Sequence, residues 1–241
     1  MPKSVMLIGA VISGISIAME GFHEELSAKD KVRELTGLLV NVDEDKIHRF
    51  LRASNNNVEQ AAKMLKEDVE WRENVRPDLL KEIDFVSLQN AIEILDECDL
   101  NGNPVIVIRT QLHSNDDSEL FEKYMIFTIE NVTHGINQCS VIFDLYNLSW
   151  ANTDFNMIPI GLSIFHKHYA DLLSHCFILR PNYMFNCVFG LIRLLLDNDN
   201  LEKIHLIRSE DEFDKFVDRK ILPSDISFHM EDNKLIETMS N

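Results

Sequence analysis

Two hydrophobic periods divide this chain. Between residues 42 and 76 the apolar positions recur every three or four residues. Beyond residue 100 they gather into short unbroken runs separated by helical stretches. In the first part Ile47, Phe50 and Leu51 form a stripe behind the acidic start Val42-Asp43-Glu44-Asp45, whose carboxylates complement a helix dipole. Asn55-Asn56-Asn57 interrupts it. Asn57 and Gln60 have capping-box spacing, and Val58, Ala61, Ala62, Leu65 and Val69 then continue at helical steps to Trp71. Arg76-Pro77 stops the element. Residues 24–90 are therefore expected to be helical, with stripes that need a partner surface.

The turn Asn101-Gly102-Asn103-Pro104 opens the second part. Its apolar runs are Val105–Ile108, Ser140–Leu145, Cys176–Leu179 and Ile204–Ile207. Helical stretches lie between them, at about Ser118–Val132, Phe155–Leu173 and Met184–Leu196, and a short one follows near Asp211–Val217. Runs apolar on both faces, alternating with helices, predict a mostly parallel sheet covered by helices and joined by right-handed crossovers. The fold class is α/β with an N-terminal all-helical subdomain. The expected organisation is a hydrophobic N-terminal segment (1–23), a helical subdomain (24–90), the α/β domain (91–228) and a polar tail (229–241).

Composition refines this picture. Hydrophobic residues make up 45% of the 241, and the 14 Phe far outnumber the 4 Tyr and 2 Trp. So many non-polar rings suit a large core, or a core with room left inside. The net charge of −17 and the lack of a basic run exclude a phosphate-gripping nucleic-acid surface. An anionic membrane is also repelled on average, so membrane docking has to rest on inserted apolar side chains. Cys98, Cys139, Cys176 and Cys187 form no CxxC pair and read as buried free thiols.

The run Val5–Met19 follows Lys3 and falls short of the roughly 20 residues that span a bilayer. It suits a membrane-associating segment on a cytoplasmic, peripheral or N-terminally anchored protein. It equally suits a signal-peptide core, with Ser16-Ile17-Ala18 as a small-x-small site and secretion as the outcome. The sequons at Asn131 and Asn147 are compatible with the second option.

Catalytic chemistry finds little support. Asp144 ends an apolar run, where open α/β sheets carry functional residues, but its spacing indicates no partner and a role in holding the following loop fits better. His166 and His168 lie two apart on a helix, cannot share a metal, and are expected to be solvated. Cys187 lacks a His and acid motif, and no GxSxG, GxGxxG or GxxxxGK[ST] occurs. No catalytic residue, metal or cofactor is expected, apart from a lipid ligand. The segment Met184–Leu196 is apolar around nearly its whole circumference. It reads as a helix packed on both sides, or as one with a face on a lipid cavity and another able to meet a bilayer.

The run Ile47-His48-Arg49-Phe50-Leu51-Arg52-Ala53, with Val58–Leu65 and Glu70-Trp71-Arg72, resembles the N-terminal helices of the CRAL-TRIO family. The likeness continues through Val141-Ile142-Phe143-Asp144-Leu145, His168–Leu173, Cys176–Leu179, Lys203–Ile207 and Leu222-Pro223, over about residues 45–226. The run Val141–Ser174 also resembles the corresponding module of motile-sperm-domain-containing proteins.

This resemblance implies a protein that binds a hydrophobic lipid behind a mobile gate helix, with transfer between membranes as one use. A non-transferring membrane or protein scaffold on the same fold is the alternative. The implied partners are a hydrophobic lipid and a transient membrane surface; protein partners stay open. The pocket wall is expected from Ile106, Ile108, Ile126, Phe127, Phe143, Leu145, Phe165, Phe177 and Leu179, and the gate from Phe185, Val188, Phe189, Ile192 and Leu195. Asp171 and Lys203 stand where the phosphatidylinositol-transfer branch binds its headgroup. Ala170 and Leu172 depart from that branch's pattern, as does Arg180-Pro181, and Ser224-Asp225 replace its closing glycines.

Overall fold

The computed structural model describes residues 28–37, 42–112, 117–133, 138–150, 153–155, 157–181, 183–196 and 198–226. The hydrophobic N-terminal segment and the polar tail expected from the sequence lie outside these residues. The chain forms two compact units, residues 1–70 and residues 71–241.

The described part of the first unit is helical. Residues 28–36 form α1, Glu44–Ala53 forms α2, and α3 (Val58–Val75) begins here. Asp43 caps α2 by accepting from the Asp45 N–H, and Asn57 caps α3 by accepting from the Gln60 N–H at 2.9 Å. Asn55 and Asn56 both take positive φ, 52° and 61°, which Asn tolerates better than most residues. The stripes read from the sequence are the buried faces: Ile47, Phe50 and Leu51 on α2, Ala61, Ala62 and Leu65 on α3. Asp68 is also fully buried, and Lys46 supplies its counter-charge.

In the second unit the last turn of α3 leads through two 3₁₀ turns, Pro77–Glu82 and Val86–Leu88, into a five-stranded sheet. The strands are β1 (Ile92–Cys98), β2 (Pro104–Arg109), β3 (Cys139–Asp144), β4 (Leu173–Leu179) and β5 (Ile204–Ile207). They lie side by side in chain order; β1 is antiparallel to β2 and all other pairs are parallel. Helix α4 (Ser118–Thr133) links β2 to β3, and α5 (Met157–His168) links β3 to β4. Helices α6 (Tyr183–Leu195) and α7 (Asn198–Glu202) precede β5, and α8 (Glu210–Phe213) follows it.

Strand β1 is absent from the sequence reading. Its outer half, Asp96-Glu97-Cys98, is exposed and polar, so the edge strand lacks the two-sided apolar signal of its neighbours. Its turn is held from the sheet side. Asp99 accepts from the backbone of Asn101 and Asn103 at 2.9 and 2.8 Å and from Ser140 Oγ at 2.7 Å, while Gly102 supplies φ +83°. Helix α5 also ends five residues earlier than its apolar pattern suggests. The chain turns through Asp171 at φ +56°, so the Leu172-Leu173 pair enters the turn and β4 instead of extending the helix.

Because β2 to β5 are added in one direction, right-handed crossovers place their helices on one sheet face. Register defines the two faces. Ile106, Val141, Cys176 and Ile204 form one row of the helix-covered face, and Ile108, Phe143, Ile178 and Leu206 form the next. Against these pack Phe121, Met125, Ile126 and Ile129 of α4, Met157 and Ile164 of α5, and Phe185 of α6. The other face carries Val107, Ile142, Phe177, Leu179 and Ile207 under Phe213, Val217 and Ile226 of the C-terminal segment.

Candidate functional site

The helix-covered face has two packed regions that share a seam. One is centred on α4 and α5 over Ile106, Ile108 and Val141; the other is centred on Phe185 over Leu145, Cys176 and Ile178. Phe143 and Leu173 border both. Phe143 is the one residue of β3 that keeps accessible surface, although it lies on the middle strand beneath helices. In the two regions it borders, Ile160 and Phe165 of α5, Phe189 of α6, and Ile204 and Leu206 of β5 are also only partly buried. A middle-strand ring under covering helices is normally closed off from water, and Phe143 and these neighbours in the two packed regions are apolar and only partly buried.

The register sorts the nine residues expected to line one pocket. Ile106, Ile108, Ile126, Phe127, Phe143 and Phe165 share the α4/α5 region, and Leu145 joins the α6 region. Phe177 and Leu179 do not belong with them. They point to the opposite face and are sealed there, 0% and 1% exposed, among Phe213 and Val217. Reading the run as uniformly apolar overlooked the strand's period of two. Leu206 was missed for the same reason, since only its register with Phe143 through Ile178 places it on the same face.

Helix α6 presents Phe185 and Val188 as buried residues, with Phe189 and Ile192 partly buried, an i, i+3, i+4, i+7 stripe. Phe185 and Phe189 stack with centroids 5.6 Å apart. Leu195, expected on the same stripe, is 57% exposed, and its neighbour Leu194 is 81% exposed. The inward stripe therefore ends one turn earlier than expected.

Polar groups gather at the two ends of the sheet. At the amino ends, Lys203 Nζ lies 3.4 Å from Asp171 Oδ1, so the two residues singled out for a headgroup face each other. Ala170 and Leu172 beside them are buried. At the carboxyl ends, the fully buried Asp144 accepts from Arg180 Nε at 2.7 Å and from Arg180 Nη2, and also from the Tyr146 N–H at 3.2 Å. Asp144 thus holds the loop that follows it. Its register partner Arg109 is also buried and binds Asp225 and Glu93, both at 2.7 Å. Burial works against the Arg109 charge, yet the hydrogen bonds to Asp225 and Glu93 outweigh it and leave its pKa raised.

Of the two histidines expected in solvent, His166 is exposed, but His168 is not. Its ring stacks on Trp71 at 4.1 Å and 9°. Cys139 and Cys176 are free and buried, and burial pushes each thiol up to about 12, so neither is a nucleophile near neutrality. Cys98 departs from expectation and is exposed. Among the described residues no three His, Cys, Asp or Glu side chains come together to hold a metal ion, and no helix is long and apolar enough to cross a membrane.

Comparison with known proteins completes the description. A CRAL-TRIO domain-containing protein of Schizosaccharomyces pombe is 28% identical over 185 residues, covering 70% of this chain and 42% of that protein. A protein of Eremothecium gossypii named phosphatidylinositol transfer protein CSR1 is 23% identical over 197 residues, covering 74% of this chain and 45% of its own length. The chain thus spans less than half the length of these curated relatives. A crystal structure of Sfh5 superposes with a TM-score of 0.58 at 20% identity, covering 68% of this chain and 67% of that one, and so shares its fold. The model of the CRAL/TRIO domain matches residues 88–227, and the chain belongs to that family.

Proposed function

We propose that the chain binds one hydrophobic lipid in the seam around Phe143, with α6 as its gate, and that it carries the lipid between membranes without chemical conversion. The observation that carries this reading is the accessible surface left on Phe143, on a middle strand otherwise buried. A long acyl chain fits such a slot because each buried methylene contributes about 0.8 kcal/mol. Helix α6 suits the gate because its inward stripe is short and its far end is apolar and exposed. The Eremothecium relative, by its name, transfers phosphatidylinositol, which supports transfer as the use of the bound lipid.

The headgroup specificity is not inherited with the fold. Lys203 is paired with Asp171, and the neighbouring Ala170 and Leu172 are buried, so the reading is a lipid chosen for its tail. Mass spectrometry of lipid extracted from gently purified full-length protein tests the proposal. A stoichiometric lipid is the expected result. Ligand-free protein that takes up no lipid from a cyclodextrin carrier would overturn it.

A further inference from the structure

The loops leaving the carboxyl ends of β2 and β3 expose large apolar side chains. Leu112, beyond β2, is 46% exposed; Tyr146, Trp150 and Phe155, beyond β3, are 41%, 62% and 37% exposed. Trp150 and Phe155 stack on each other with centroids 5.3 Å apart and planes at 25°. The loop carrying them is braced from beneath. Leu148 packs on the Leu145–Phe185 region, Thr153 Oγ1 donates to the Ser149 carbonyl at 2.7 Å, and Asp154 accepts from Ser118 Oγ. Thr153 and Asp154 are buried while Trp150 and Phe155 are exposed.

Charge decides what such a surface meets. From Leu145 to Phe165 the only charged residue is Asp154, which is 8% exposed and hydrogen-bonded. This stretch is charge-free on the outside of a chain with net charge −17. The cation Arg180 is taken by Asp144 and lies over the Tyr146 ring at 4.5 Å, and Asp117, which precedes Ser118, is an exposed carboxylate. Among the described residues of these loops, an acidic membrane finds no cation outside the Arg180–Asp144 pair. A neutral bilayer interface, where an indole sits with its body in the apolar layer and its N–H in the wet one, fits the patch.

We infer that the Trp150–Phe155 pair, at the same end of the sheet as Leu112 and Tyr146, is an interfacial anchor for an electrically neutral lipid bilayer. The inference rests on the reading that this protein meets membranes, but it does not depend on the seam's being loaded.

The chain has two tryptophans, so Trp71→Phe leaves Trp150 as the sole indole reporter in the full-length protein. On titration with phosphatidylcholine vesicles its emission is expected to shift to the blue, and shallow brominated phosphatidylcholine is expected to quench it. Adding phosphatidylserine should weaken the response. Replacing both rings (W150S with F155S) should lower vesicle partitioning at least about tenfold with an unchanged thermal melt, since one fully buried ring is worth about tenfold or more. Should Trp71→Phe unfold the protein, the same quenching is read as the difference between the native chain and W150F. The readout is local to residue 150, so binding through another part of the chain does not mimic it.

Emission unchanged by vesicles, or shielding of Trp150 that grows with protein concentration and ignores brominated lipid, overturns the anchor. Uptake of lipid from cyclodextrin, which needs no bilayer contact, separates the two readings: uptake without quenching removes the anchor alone, and quenching without uptake removes the lipid slot alone.

Discussion

Arg180, left-handed at φ +54° just beyond β4, reaches across the carboxyl end of the sheet and places its Nε 2.7 Å from Oδ1 of the buried Asp144. A buried charge whose partner is removed stays in low dielectric uncompensated. Asp144→Asn is therefore expected to lower unfolding free energy by about 3 kcal/mol, read from the urea midpoint. Arg180→Lys keeps the charge but not the two-pronged geometry and should fall between mutant and native protein.

The facing of Asp171 and Lys203 sets a second expectation. While the pair is closed, Lys203 is occupied, and phosphatidylinositol should gain little over phosphatidylcholine in a competition for uptake. Asp171→Asn releases the ammonium, and the preference for phosphatidylinositol should rise several-fold. Equal preference in the mutant and the native chain would show that Lys203 does not see the headgroup.

Ile142 and Phe143 are adjacent on β3 but face opposite sides of the sheet, the first fully buried and the second at the seam. Ile142→Ala should cost about 3 kcal/mol with little change in which lipids are bound. Phe143→Ala should cost less and shift the bound lipids toward longer or bulkier tails, as seen by mass spectrometry of the extracted ligand. Phe143→Trp should fill the space and reduce uptake.

His175 and His205 meet across β4 and β5 with Nδ1 and Nε2 3.0 Å apart, beside Phe177 and Phe216. Burial lowers the pKa of both. The Asp99 charge opposes that for His175 while Lys203 adds to it, and His175 lowers His205 further. With folded values below the usual 6.5, the unfolded chain takes up protons that the folded protein refuses. The stabilising contribution is complete above pH 6.5 and is lost as pH falls below it. Thermal unfolding between pH 8 and 5 should show this slope, and His205→Gln should flatten it.

Thiol reactivity gives a simple check on burial. Brief alkylation of the folded protein followed by peptide mapping should label Cys98 and spare Cys139 and Cys176, whose thiols are held near 12. Labelling of the latter two should appear only with unfolding.

Local pattern was enough for much of this molecule. Asn57 caps α3 as its spacing to Gln60 implies, and the stripe of Ile47, Phe50 and Leu51 is buried, because caps and stripes are written within a few residues of one another. The four parallel strands were legible as apolar runs for a related reason: both faces are covered, so every position along them repels water. That same uniformity hid which residues face which side. Nothing in Cys176-Phe177-Ile178-Leu179 says that Phe177 and Leu179 turn away from Phe143, and only register with β3 decides it. Edge strand β1, half exposed, carried too weak a run to be seen.

What the chain's order of residues determined, then, was the α/β class, the helical preface and the apolar helix α6, all set by contacts between near neighbours. The tertiary structure decided that Phe143 keeps accessible surface, that Asp171 meets Lys203, and that Trp150 and Phe155 stack outward. The first two depend on strands and turns distant in the chain coming side by side. The third depends on a loop tied to other elements through Asp154 on Ser118 and Leu148 on the Leu145–Phe185 region, with its rings left exposed.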